Sequence, residues 1–167
     1  MANVPNHMYR QSGVIPYRRG VNGVEVLLIT SRKGKRWVIP KGVIEPNMTP
    51  AASAAKEAIE EAGVRGDVDE RPLGKYRYAK WGGVCTVQVF AMAVSVEAAD
   101  WPEAEFRSRV WLPLADARGR VDEKGLKAMF DDLSKRVKDG GRPMMAPGDQ
   151  DATLWPRRPS RRRRRTP

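Results

Sequence analysis

Seven residues, Val24-Glu-Val-Leu-Leu-Ile-Thr30, form an almost unbroken β-branched and aliphatic run. Such a run predicts a buried strand. Gln11 to Tyr17 predicts a shorter one, with Pro16 placing it at an edge or an irregularity. Trp37 to Pro40 reads as a brief strand, and Lys41 to Met48 as a loop. At Thr49 the pattern changes. Thr is a good N-cap, Pro50 suits the first helical turn, and the Ala-rich stretch runs to Ala62, with Gly63 as the stop. Strand-like segments return at Leu73–Lys80 and Val84–Val96, with Gly82-Gly83 as the hairpin turn, and again at Arg109–Leu112. Leu114 to Gly119 is a helical turn. Apolar residues at 126, 129, 130, 133 and 137 then predict an amphipathic helix within Asp122–Val137, closed by Gly140-Gly141. The order β-β-β-α-β-β-β-α predicts an α+β fold, with no internal repeat.

The length of 167 residues fits one domain. No apolar run approaches a membrane span, so no membrane partner is expected. Residues 1–20 carry no secretory-type stretch, which leads to the expectation of a cytoplasmic location. A lone Cys85 excludes an internal disulfide and is expected to be buried and inert. A single His7 argues against a Ser-His-Asp triad and against His-rich metal sites. Carboxylates, Lys and Arg remain for chemistry. The net charge of +11 is mostly a tail effect, because residues 157–167 hold seven arginines and no acid follows Asp151. The expected organisation is a flexible stretch 1–7, a folded domain 8–139 and a disordered Arg-rich tail 140–167 that binds polyanions or nucleic acid by charge alone.

The helix concentrates acid. At about 100° per residue, Glu57, Glu60 and Glu61 cover one arc of about 100°, while Ala55, Ala58, Ile59 and Ala62 form the apolar side. Like charges at these spacings repel, and they sit near the helix end where negative charge is disfavoured. A solvated acidic face is one reading. A hard divalent cation is the other, since Mg²⁺ takes a few carboxylates plus substrate phosphates.

The segment GVIEPNMTPAASAAKEAIEEAGV, residues 42–64, resembles the Nudix box through Gly42, Glu57, Glu60, Glu61, Gly63 and Val64. Trp37-Val-Ile-Pro-Lys-Gly42 leads into it as a strand leads into the family's loop. The resemblance implies a Nudix fold, a mixed β-sheet sandwiched between helices. It also implies hydrolysis of a phosphoanhydride in a small phosphorylated substrate, with Mg²⁺ or Mn²⁺ as cofactor. Glu57, Glu60 and Glu61 would be catalytic. Glu57 and Glu61 would be the principal metal ligands, Glu60 a ligand or the general base, and the Gly42 carbonyl a further ligand. Three positions depart from the box: Met48 stands where it has Glu, Lys56 where it has Arg, and Ala58 where it has a bulky aliphatic. Lys56 keeps the charge without the bidentate fork, and can still pair with Glu60 four residues on. Met48 is expected to remove one carboxylate from the pocket.

The flanks, Ser31-Arg32 and Arg36-Trp37 with Glu45-Pro46, resemble the diphosphoinositol polyphosphate and diadenosine polyphosphate phosphohydrolase branch. A polyanionic substrate needs cations around the pocket. Arg10, Arg32, Arg36, Lys41, Arg107 and Arg109 are the substrate-binding candidates, and Glu103 or Glu105 could supply a further carboxylate. Trp37 and Trp111 fit the core, whereas Trp81 and Trp101 fall in loops where a base could stack. The departures from the box keep a second function open, a degenerate domain that binds a nucleotide or polyphosphate without turnover. A third is an RNA-directed role, with the tail recruiting RNA.

Overall fold

A computed structural model describes residues 4–139. After a short 3-10 turn at Asn6–Tyr9 come β1 (Arg10–Gly20), β2 (Gly23–Thr30), β3 (Trp37–Val38) and β4 (Lys41–Val43). Helix α1 (Pro50–Glu57) follows and continues into a π-helical turn, Ala58–Ala62. The chain then adds β5 (Val64–Val68), β6 (Gly74–Lys80), β7 (Gly83–Glu97), β8 (Arg109–Pro113), α2 (Leu114–Arg120) and α3 (Lys124–Asp139). The expected strands are present; β1, β2, β7 and β8 run longer than predicted, and β3 and β6 shorter. β4 and β5 lie where no strand is predicted. The flexible stretch predicted for 1–7 overlaps the 3-10 turn at its end, and the predicted tail lies outside the described residues. No helix among the described residues is long and apolar enough to cross a membrane.

The eight strands form one mixed sheet with the path β3-β2-β1-β7-β5. β1 and β7 pair in parallel from Arg10 opposite Thr86 to Tyr17 opposite Ala93. Strand alternation splits the apolar residues between two faces. Ile15, Val26, Leu28, Val87 and Val89 meet α3 through Leu126, Met129, Phe130, Leu133 and Val137. Val14, Leu27, Ile29, Phe90 and Met92 meet Ala54, Ala58 and Ala62 of the carboxylate helix. The mixed sheet lies between helices, as the fold class expected from sequence requires.

Of the two readings of Pro16, the structure has the irregularity and not the edge, because β1 is interior. On its side away from β7, β1 pairs with β4 through residues 11–13 and with β2 only from Tyr17 onward. Pro16 falls in that gap, where no ladder donor is required. The predicted single helix is corrected as well. Thr49 caps it by accepting the Ala52 N–H at 3.1 Å, but the last five residues widen into a π turn. Gly63 ends it in the left-handed conformation, φ 67°. A Cβ on Gly63 would also meet the Arg109 guanidinium and the Trp101 Cβ at 2.8 Å. Gly63→Ala is therefore expected to destabilise the fold by about 1–2 kcal/mol or more, the left-handed penalty plus displaced neighbours. Urea unfolding of the two proteins measures it, and an unchanged midpoint would contradict this account of the cap.

Candidate active site

The π turn changes how the carboxylates are presented. Five-residue hydrogen bonding widens the helix, so the 100° step does not hold beyond Glu57. Glu61 is turned inward and is 8% exposed, beside Ala58 and Ala62. Its Oε2 accepts the Lys41 backbone N–H at 3.0 Å, and its Oε1 accepts Arg107 Nη2 at 2.6 Å. Its carbonyl accepts the Trp101 indole N–H at 3.0 Å. Two segments distant in sequence, β4 and the connection between β7 and β8, thus converge on one glutamate.

Glu57 sits against Gly42. A Cβ built there would fall inside the Glu57 carboxylate, so only glycine lets the β4 backbone approach this closely. Among the described residues no salt bridge holds Glu57, although it is largely removed from water. Burial, followed by repulsion from Glu61, Glu60 and Glu103, pushes its carboxyl up to about 7. Glu61 also rises to about 7, driven by burial and opposed by Arg107 and the Lys41 N–H. Glu60 lies 3.5 Å from Lys56, the pair expected from their spacing. Lys56 also bonds Glu45, so this lysine ties the loop to the helix end.

These carboxylates line a cavity of about 760 Å³ that also takes in Arg32, Arg36, Lys41, Gly42, Lys80, Trp81, Glu103 and Arg107. Lys41 is held there by Tyr78, whose hydroxyl accepts its Nζ at 3.3 Å and donates to Gln11 Oε1 at 2.7 Å. Burial, more than any other influence, lowers the Lys41 pKa. Arg36 is half exposed and 3.5 Å from Glu123. Arg32 lies over the exposed Phe106. Arg107 is buried on Glu61 and the Thr30 carbonyl, so its guanidinium fixes a carboxylate.

The remaining candidates lie elsewhere. Arg109 is absent from the cavity lining, because its guanidinium bonds the carbonyls of Ala62 at 2.8 Å and Ala98 at 2.6 Å and stacks on Trp101. Arg10 lines a separate apolar cavity of about 400 Å³ with His7, Ile44, Glu45 and Met48. Met48 thus marks a position outside the carboxylate cavity, contrary to the expectation that its substitution empties the pocket of a ligand. Sequence reasoning missed Tyr78, Gln11 and Lys80. Alternation along β6 places Tyr78 and Lys80 on one face, a signal that was available.

Among the described residues, no three acidic, His or Cys side chains stand close enough to hold a metal as they are. The donor set nevertheless fits a hard cation in kind. Glu57 is a partly buried carboxylate that makes no salt bridge among the described residues, and Glu61 and the Gly42 backbone adjoin it.

A NUDIX domain profile matches residues 9–133, and the chain belongs to the Nudix family of hydrolases. It is 43% identical over 121 residues to Nudix hydrolase 4 of Arabidopsis thaliana, an alignment covering 66% of this chain and 58% of that protein. It is 33% identical to the mitochondrial Nudix hydrolase 12 of the same plant, covering 80% of each chain. It is 32% identical to human diphosphoinositol polyphosphate phosphohydrolase 3-alpha, covering 77% of this chain and 80% of that one. A Caenorhabditis elegans Ap4A hydrolase binary complex shares the fold, with a TM-score of 0.66 and 21% identity over 78% of this chain and 98% of that one. The relatives overturn the expected cytoplasmic location. Nudix hydrolases 12, 17 and 18 of that plant are mitochondrial and its Nudix hydrolase 21 is chloroplastic.

The raised carboxyl of Glu57 predicts a pH signature in metal-free protein. Its folded pKa of about 7 lies above the ordinary value of 4.5, so the folded state holds its proton more tightly. Stability linked to Glu57 is complete below pH 4.5 and is lost as pH rises through 7. The thermal midpoint of the wild type should therefore fall between pH 5 and 8 more steeply than that of Glu57→Gln. Parallel curves would show that Glu57 is not strained in this way.

Proposed function

We infer that the chain is a divalent-metal-dependent pyrophosphohydrolase that cleaves a phosphoanhydride in a small polyphosphorylated substrate. One observation carries this reading: a single cavity gathers Glu57, Glu60 and Glu61 together with Arg32, Arg36, Lys41 and Lys80. The acids suit a cation and the bases suit phosphate. Mg²⁺ or Mn²⁺ would be held by Glu57, Glu61, the Gly42 carbonyl and, once released from Lys56, Glu60. When bound, the ion neutralises phosphate charge and acidifies a water.

The protein's own groups do the rest. Arg107 and the Lys41 N–H orient Glu61, each holding one of its carboxylate oxygens. Glu60 is more exposed than Glu61 and is paired with the equally exposed Lys56, and it suits the role of general base toward water. The Lys41 ammonium, anchored by Tyr78, meets phosphate oxygens at the cavity floor. Arg32 and Arg36, at the exposed rim, extend the cationic surface to a longer phosphate chain. Diphosphoinositol polyphosphates and diadenosine polyphosphates, named for the human and nematode proteins, are the first substrates to assay. Binding without turnover draws on Glu60 being tied to Lys56, and the same assay separates the two readings.

With Mg²⁺ or Mn²⁺, the wild type should release product from at least one of these substrates, and EDTA should stop it. Glu57→Gln should lower kcat by about 100-fold or more while far-UV circular dichroism is unchanged. Near-wild-type turnover in that variant would remove the site from consideration. Separately, Arg32→Ala and Arg36→Ala should raise KM more for a substrate with five phosphates than for one with two, and less so at high salt. An unchanged KM ratio in folded protein would show that the rim does not read phosphate number.

A further inference from the structure

Ser12 lies in β1, the central strand of the sheet, and is 0% exposed. Its hydroxyl has no hydrogen-bond partner among the described residues. A buried polar group left unpaired is costly, and alanine would fill the same place without that cost. Packing of β1 therefore gives no reason for a hydroxyl here.

The register shows what the hydroxyl stands beside. Ser12 is directly opposite Gly42 of β4. Residues opposite each other in an antiparallel pair point to the same face, with Cβ positions roughly 5 Å apart. At Gly42 the place of the side chain is taken by the Glu57 carboxylate. Alternation puts Val14 on the same face as Ser12, and Val14 packs with Ala54 and Ala58, on either side of Glu57 in the helix. On its other flank Ser12 is level with Gln88 of β7, which does not bond the hydroxyl either.

Ser12 and Glu57 each lack what the other offers. Glu57 is a partly buried carboxylate that makes no salt bridge among the described residues, and Ser12 is a donor without an acceptor. A hydrogen bond to a charged acceptor is stronger than one to a neutral amide, which favours Glu57 over Gln88 as the partner. Serine has three staggered χ1 positions, so its Oγ can swing between them while the strand stays in place.

We propose that Ser12 is a positioning residue of the cation site, its hydroxyl donating to the Glu57 carboxylate and fixing that carboxylate's orientation when the metal binds. The assignment rests on the metal-dependent reading and adds a residue outside the loop and helix that carry the acids. Groups that orient a metal's ligands from behind change its affinity by about ten-fold or more when removed.

Titration of the metal-free protein with Mn²⁺, followed by the electron paramagnetic resonance signal of the free ion, reads the contact without turnover. Ser12→Ala should weaken Mn²⁺ about ten-fold. Ser12→Thr keeps the donor and should bind within about two-fold of wild type. In EDTA the thermal midpoint of Ser12→Ala should hold or rise, because the substitution removes a buried hydroxyl that has no partner. Unchanged Mn²⁺ affinity in Ser12→Ala overturns the proposal. So does an affinity loss matched by a lower midpoint in EDTA, which would place the hydroxyl's role in the fold and not at the cation. If the wild type itself binds no Mn²⁺, the metal-dependent reading fails and takes this assignment with it. If wild type and Ser12→Ala bind Mn²⁺ equally, only the assignment of Ser12 fails.

Discussion

The buried pair of Glu61 and Arg107 is the contact on which the site depends. Each is about a tenth exposed, and the two meet at 2.6 Å. A buried ion pair seldom raises stability over an apolar substitute, yet breaking one is costly because a charge is left unpaired. Here the pair fixes geometry. Glu61 comes from the helix end, Arg107 from the loop before β8, and the Lys41 N–H from β4. Trp101 adds a third tie through the Glu61 carbonyl, and Arg109 braces the carbonyls of Ala62 and Ala98 behind it. The helix terminus is thus bound to the sheet on several sides.

That binding explains how three glutamates can share one helix end against their mutual repulsion. Arg107 offsets Glu61 and Lys56 offsets Glu60, while Glu57 keeps no cation among the described residues. The uncompensated charge is concentrated on the carboxylate that lies over Gly42. Lys56, where the family motif has an arginine, pairs with both Glu45 and Glu60. The departures at Lys56 and Met48 are therefore unequal: one has a partner in place, and the other falls in a different cavity.

Local signals were legible in sequence and tertiary ones were not. Thr49, Pro50 and Gly63 mark the helix because capping is a matter of adjacent residues. The π turn left no such mark. β5, with Gly66 and Asp67 inside it, owes its strand character to pairing with β7 across a bulge. Gly42, Glu57, Glu60 and Glu61 could be placed in one site because their spacing spans a single loop and helix. Arg10 and Arg109 could not be sorted from Arg32 and Arg36, since a positive charge in sequence does not say which way it faces.

The parallel pairing of β1 with β7 also governs when the site can exist. It joins residues 10–17 to residues 86–93, and the partner of Glu61 comes later still, at residue 107. Contacts this far apart must wait for loop closure, which slows folding. On the ribosome, the carboxylate helix emerges well before the strand that braces its neighbours and the arginine that pairs with it. A nascent chain shorter than about residue 107 carries the whole acidic motif with no means of holding it. Assembly of the carboxylate site therefore waits for residues made well after its most recognisable ones.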